Sequence, residues 1–345
     1  MSNQNQNYAI SRSQPYRPDG AFSGKKICLM LAGGTIIAEN EDFFVEEPSD
    51  MQIWLDKMPE LLIMAHFEPM YICGEKHHDH GPKFWGRLAK EIFDRKYEYD
   101  GFIVTNPPHD VLYNSIAMSF ALASINKPVV FTGSQLPVIN KDLVDVKNLP
   151  VSGLGVKANL INAVQVATMN FGGVGLIFGN RCLKPVRAVR ENVYSFNVFN
   201  SVDDSSLAKI DFGVSLLEPM PAGKRKPELK NNFANDVLAI KYYSGMDFKI
   251  FEKAAEHYSG IMIESLPLEP FDADFLQGLK KIQKPILVYN RFYVPKLKTD
   301  NIIKVFDLTK ETALIKFIWA LGQSKDLNEV RSLMINEQCG EFIKK

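Results

Sequence analysis

The sequence predicts an α/β protein built on a parallel sheet that helices cover on both faces. Two observations point there. Short apolar runs alternate with amphipathic helical stretches. The runs are apolar throughout rather than alternating with polar residues, as in strands buried on both sides and joined by right-handed crossovers. A third observation concerns organisation: residues 218–232, EPMPAGKRKPELKNN, combine prolines and charges without periodicity and read as a linker. The expected division is a mobile tail over 1–24, a first α/β domain over 25–217, a linker over 218–236 and a second α/β domain over 237–345.

Composition narrows the function classes. The 345 residues, 46% of them hydrophobic, suffice for two cores. Lys+Arg and Asp+Glu each number 40, so no global charge points to nucleic acid or an anionic membrane. No apolar run approaches bilayer length. The polar first 24 residues lack the apolar middle of a signal peptide and read as a tail or an arm docking on a neighbour. Cys28, Cys73, Cys182 and Cys339 form no CxxC pair, which fits a reducing cytoplasm.

The first strand, 26–32, breaks off in Gly33-Gly34-Thr35, where absent side chains permit a sharp turn and a close approach. A hydroxyl there sits at the carboxyl edge of a parallel sheet, where open α/β folds keep their ligands. Residues 69–73 form a second strand, followed by the loop GEKHHDHG. Pro82 then opens a helix at its favoured position, with Trp85, Leu88, Ala89, Ile92 and Phe93 as one apolar stripe. A strand over 101–105 ends in NPPHD, and a helix follows over 113–124. The strand 128–132 enters TGSQLP and an irregular segment to about 153. A helix over 159–169 and a strand over 174–178 complete the first half. Beyond the linker, strands over 238–242, 261–263 and 285–289 alternate with helices over 247–258 and 273–282. Helices over 309–321 and 327–336 close the chain.

Several of these segments resemble the bacterial-type L-asparaginases and glutaminases, including the asparaginase-like subunit of archaeal glutamyl-tRNA amidotransferase. They are GGTI at Gly33, GFIVT at Gly101, VVFTGSQLP at Val129, NLINAVQVA at Asn159, RAVR at Arg187, YYSGMD at Tyr242 and TALIKFIWALG at Thr312, in the family's order. The resemblance implies a larger N-terminal α/β domain, a smaller C-terminal one, and a cytoplasmic homodimer or homotetramer with active sites between protomers. It also implies hydrolysis of a side-chain amide by threonine hydroxyls, helped by an aspartate, a lysine and a mobile tyrosine.

By that resemblance, catalysis falls to Thr35, His109, Asp110 and Arg190, and substrate binding to Gly34, His78, Asp79, Asn106, Thr132 and Gln135. Thr35 keeps the family's first threonine. Pro108 stands for the second threonine, His109 for the aspartate and Arg190 for the lysine. Arginine stays protonated, so Arg190 cannot shuttle a proton. The loop after GGTI has Phe43 and Phe44 and no tyrosine. The family's carboxylate-holding serine falls near His78. These exchanges make the pocket more cationic, which fits an acidic small molecule.

Four of the six histidines cluster as His77, His78, His80 and His109, beside Asp79 and Asp110. Three readings stay open. They are solvated loop residues; or His109 is a general base in a Thr35–His109–Asp110 relay; or His78, His80 and His109 hold a divalent metal, although no HExxH spacing is present. The default expectation is no cofactor. Cys73 reads as a small buried hydrophobe, and His66 and His257 as structural. Function then divides between an asparaginase-family hydrolase with a rebuilt site, acting on a small C–N amide or related acidic molecule, and an inactive scaffold serving as a ligand-binding, regulatory or assembly subunit. Retained Thr35 favours the first. Pro107-Pro108, which removes two backbone donors from the loop, favours the second.

Overall fold

Strand β1 (Lys26–Ala32) is buried from Ile27 to Ala32 because its alternate side chains enter two different cores. Cys28, Met30 and Ala32 join one apolar cluster, and Ile27, Leu29 and Leu31 the other. A strand with no solvent face has no reason to alternate, and the sequence accordingly runs apolar. The computed structural model describes residues 24–37, 43–77, 79–134, 156–191, 197–210, 213–217, 226–265, 271–291 and 300–343. The tail over 1–23, His78, Gln135 and the irregular segment to 155 lie outside the described residues.

Parallel ladders join β1 to β2 (His66–Cys73) and β3 (Gly101–Thr105), β3 to β4 (Pro128–Thr132), and β4 to β5 (Gly173–Ile177). Three short antiparallel strands extend this sheet: β6 (Arg181–Leu183), β9 (Ala208–Ile210) and β10 (Val214–Leu216). The strand order is β10-β9-β6-β5-β4-β3-β1-β2. A separate hairpin pairs β7 (Ala188–Arg190) with β8 (Phe199–Ser201). One face of the large sheet carries α3 (Pro82–Asp94) and α4 (Val111–Ala121). The other carries α1 (Asp50–Asp56), α2 (Pro59–Met64) and α5 (Val156–Ala167).

The second sheet is parallel, in the order β11 (Val237–Lys241), β12 (Gly260–Glu264), β13 (Ile286–Tyr289), β14 (Ile302–Val305). Helices α6 (Phe248–Ala255), α7 (Ala273–Leu279), α8 (Lys310–Gln323) and α9 (Leu327–Ile335) accompany it. Helix α8 packs on α4, with Phe120 stacked on Trp319 at 5.5 Å between ring centres. Sandwiched between the large sheet and α8, α4 is buried at almost every position. It therefore shows no amphipathic stripe, and its Ser115 and Ser119 hydroxyls bond back to the carbonyls of Leu112 and Ser115.

The structure adds elements that periodicity did not predict. Helices α1 and α2 span two turns or less, and Pro59 at the first position of α2 obscures both. Strands β6 to β10 have three residues each, too few for a pattern. Strand β2 starts at His66, ahead of Pro69, which an edge strand tolerates. The non-periodic stretch before β11 is strapped down where it is described. Lys230 N–H donates to Ala121 O, and Trp319 Nε1 and Asn231 Nδ2 donate to Lys230 O and Gly86 O.

The last residues are fastened by charge. Lys316 Nζ lies 2.6 Å from Glu341 Oε1 with both side chains fully buried, and it also donates to Asn336 O. Arg187 donates to Gly340 O and Phe342 O while pairing with Asp203. Removing one member of a buried ion pair strands the other, a loss of about 3–5 kcal/mol. Lys316→Met is therefore expected to lower the urea-unfolding free energy by about that amount. The double variant Lys316→Met/Glu341→Gln should recover part of it.

Candidate active site

Beyond β1 the backbone enters positive φ at Gly33 (75°) and Gly34 (67°). Both glycines are required by what they face. A Cβ on Gly34 would stand 2.0 Å from Asn106 O, and one on Gly33 2.8 Å from Pro107 Cγ. Asn106 ties this meeting point together: its N–H donates to Thr132 O and its side-chain amide to Ala32 O. Ser134 N–H donates to Gly34 O, and the Thr132 hydroxyl to Ile177 O. Asn106 and Thr132, both fully buried, thus hydrogen-bond within the scaffold at the carboxyl ends of β1, β3 and β4.

Thr35 is fully buried and its hydroxyl is engaged twice. It donates to Glu75 Oε2 at 2.9 Å and accepts from Val45 N–H at 3.0 Å. The Thr35 N–H donates to the same carboxylate oxygen at 2.8 Å, and Trp54 Nε1 donates to Thr35 O at 2.7 Å. Glu75 is itself buried, and its Oε1 has no hydrogen-bond partner. Burial pushes the Glu75 carboxyl above its ordinary range, opposed by hydrogen bonds from Thr35 and the Gly34 backbone. Glu75 was not singled out from the sequence, where it is one polar residue of a polar loop. Its signal was position: an acid one step past Gly74, at the end of the strand beside β1.

The histidines assemble elsewhere. Asp110 Oδ2 lies 2.8 Å from His80 Nδ1 and 3.1 Å from His109 Nε2. Burial acts to raise the Asp110 carboxyl, but contacts with His109 and His80 hold it well below its usual range. His109 is half exposed, and its hydrogen bond to Asp110 raises its pKa. His80 is buried, stacked on Phe84 at 4.5 Å between centres, with Nε2 3.5 Å from Cys73 Sγ. Asp79 is exposed. Arg190, exposed at the end of β7, donates to Pro108 O and so does reach the loop after β3.

The expected Thr35–His109–Asp110 relay is not what these contacts form. The Thr35 hydroxyl turns to Glu75, and Asp110 holds both His109 and His80. Of the expected ligands His80 and His109, it is His80 that groups with other ion-ligating side chains among the described residues, and His109 is not in that group. His80 meets Cys73 and His77. Cys73 is buried, as expected, yet it is in contact with a histidine rather than only with apolar groups.

A family model described as Asparaginase, N-terminal, matches residues 26–221. The chain belongs to the asparaginase family. Among known proteins, it is 24% identical over 278 residues to an L-asparaginase of Thermococcus kodakarensis, spanning 76% of this chain and 81% of that protein. It is also 24% identical over 349 residues to a glutamyl-tRNA(Gln) amidotransferase subunit from Metallosphaera sedula, spanning 92% of this chain and 76% of that one. The solved structure of the thermostable L-asparaginase from Thermococcus kodakarensis superposes with a TM-score of 0.76 at 21% identity, over 93% of this chain and all of that one. That likeness carries the fold. No helix among the described residues is long and apolar enough to cross a membrane.

Within this asparaginase-family chain, Asp110 is the hub joining the loop after β2 to the loop after β3. A depressed carboxyl pKa stabilises the fold fully above the unfolded value, near 3.8, and that contribution fades on acidification below it. The raised His109 value works oppositely, complete below its unfolded value near 6.5 and lost as pH rises through the folded one. The stability difference between wild type and Asp110→Asn should therefore peak between those two values. Urea denaturation across pH 3 to 9 checks this; a difference that stays flat with pH contradicts the hub.

Proposed function

We propose that the protein is an amidohydrolase in which Glu75 replaces the family's lost activating groups and prepares Thr35 for attack on a small C–N amide. One observation carries this reading: the 2.9 Å hydrogen bond from Thr35 Oγ1 to a buried carboxylate. A threonine hydroxyl needs an adjacent base to become a nucleophile. A carboxyl whose pKa is raised by burial is a better base than a solvated one.

The chemistry follows from the contacts. Glu75 Oε2 takes the hydroxyl proton as Thr35 Oγ1 bonds to the amide carbon. The Val45 N–H stabilises negative charge on that oxygen before the bond is complete. Collapse of the adduct breaks the C–N bond, and Glu75 returns the proton to the departing amine. A water molecule, deprotonated by Glu75, then cleaves the Thr35 ester. Arg190 and His109 supply positive charge at the loop after β3, which favours an acidic substrate over a neutral one.

A second reading is supported by a separate observation. Thr35 has no exposed surface, and Pro108 stands where the family's second threonine falls. A site closed in this way fits a scaffold that binds an acidic ligand without turning it over.

Ammonia release from L-asparagine, L-glutamine and small acidic amides separates the two. The hydrolase reading expects release above background, abolished in Thr35→Ala and lowered about 10²–10⁴-fold in kcat by Glu75→Gln. Saturable binding of L-aspartate or L-glutamate by calorimetry, with release no faster than in Thr35→Ala, favours the binder instead.

A further inference from the structure

We propose that Cys73, His77 and His80 form a binding site for a divalent transition metal, with Zn²⁺ the fitting ion, that fastens the loop between β2 and α3. The three residues each offer one donor atom, all within 4.8 Å of one another. A tetrahedral zinc with Zn–S about 2.3 Å and Zn–N about 2.0–2.1 Å holds sulfur and nitrogen ligands about 3.5 Å apart. Cys73 Sγ and His80 Nε2 stand 3.5 Å apart. One thiolate with two imidazoles selects zinc-like ions over Mg²⁺ or Ca²⁺, which prefer oxygen.

The surroundings orient the donors. Asp110 Oδ2 stands 2.8 Å from His80 Nδ1, on the side of the ring away from Cys73, and His80 Nε2 faces Cys73 Sγ. A carboxylate behind a histidine is the usual support for a metal-bound imidazole. The Asn114 side-chain amide also approaches Nδ1, at 3.5 Å, with its oxygen taken by Trp85 Nε1. The His77 ring meets the Asp79 backbone on one side, while its buried Nε2 has no hydrogen-bond partner. A cavity of about 240 Å³, lined by Cys73, His77, Glu46, Lys76 and Arg87, adjoins two of the three donors and has room for a water as the fourth ligand.

Binding exchanges the Cys73 thiol proton for the metal and releases that proton to solvent. The loop so fastened also carries Glu75 to Thr35. The site rests on its own donor atoms, however, and stands whether or not Thr35 is catalytic.

The test uses the full-length protein, stripped with a chelator and titrated with Co²⁺ and then Zn²⁺. Expected are uptake of one Co²⁺ per chain with a thiolate-to-cobalt charge-transfer band, displacement by Zn²⁺, and a higher unfolding temperature with Zn²⁺. Cys73→Ala and His80→Gln should each abolish the band. Asp110→Asn, acting through His80, should weaken Zn²⁺ affinity about 10–100-fold. X-ray absorption of the zinc-loaded wild type, which needs no variant to fold, should show one sulfur and two imidazole nitrogens. Absence of Co²⁺ uptake, uptake unchanged in Cys73→Ala, or a zinc shell without sulfur overturns the proposal.

Discussion

The arrangement of the site depends on one close approach, between the turn after β1 and the start of the loop after β3. Gly34 and Gly133 both face Asn106 O, at distances where a Cβ would stand 2.0 and 2.1 Å away. Three strand ends can therefore converge only because two of them end in residues without side chains. Asn106 then spends its amide on holding the convergence together. What remains at the carboxyl edge is Thr35, and its surroundings decide whether the edge is chemically alive.

Part of those surroundings comes from the loop between β2 and α3. Its residues point to different places. Glu75 reaches the Thr35 turn, while Cys73, His77 and His80 gather on the side of Phe84 and α4. Asp110, at the start of α4, joins the second group to the loop that carries Pro108 and His109. Polar contacts span the strand ends. They consist of a carboxylate on one side and imidazoles on the other.

Much of the fold was legible in the residues because burial on both faces leaves a plain mark. Strands β1, β3, β4 and β13 are apolar runs bounded by turn residues, and α3 shows one stripe. Helix α4 was legible as a helix but not as a sandwiched one, because α8, far later in the chain, covers its outer side. The close approach beside Thr35 was legible, because Gly33 and Gly34 announce it. Glu75 was not legible, since an acid in a polar loop looks the same solvated or buried until the neighbouring strand is in place. The histidine pattern drew notice to the loop between β2 and α3, yet the sequence could not show that His80 turns inward to Cys73 while His109 stays half exposed.

The fully enclosed α4 has a mechanical consequence. One apolar cluster runs from β1 and β3 through α4 and α8 into β12, β13 and β14, so both sheets lean on the same interior. Swinging one sheet away from the other like a hinged door would expose Phe120 and Trp319 and tear that interior apart. Any opening at the strand ends must come from loops peeling back locally, and heat should melt both halves in one step.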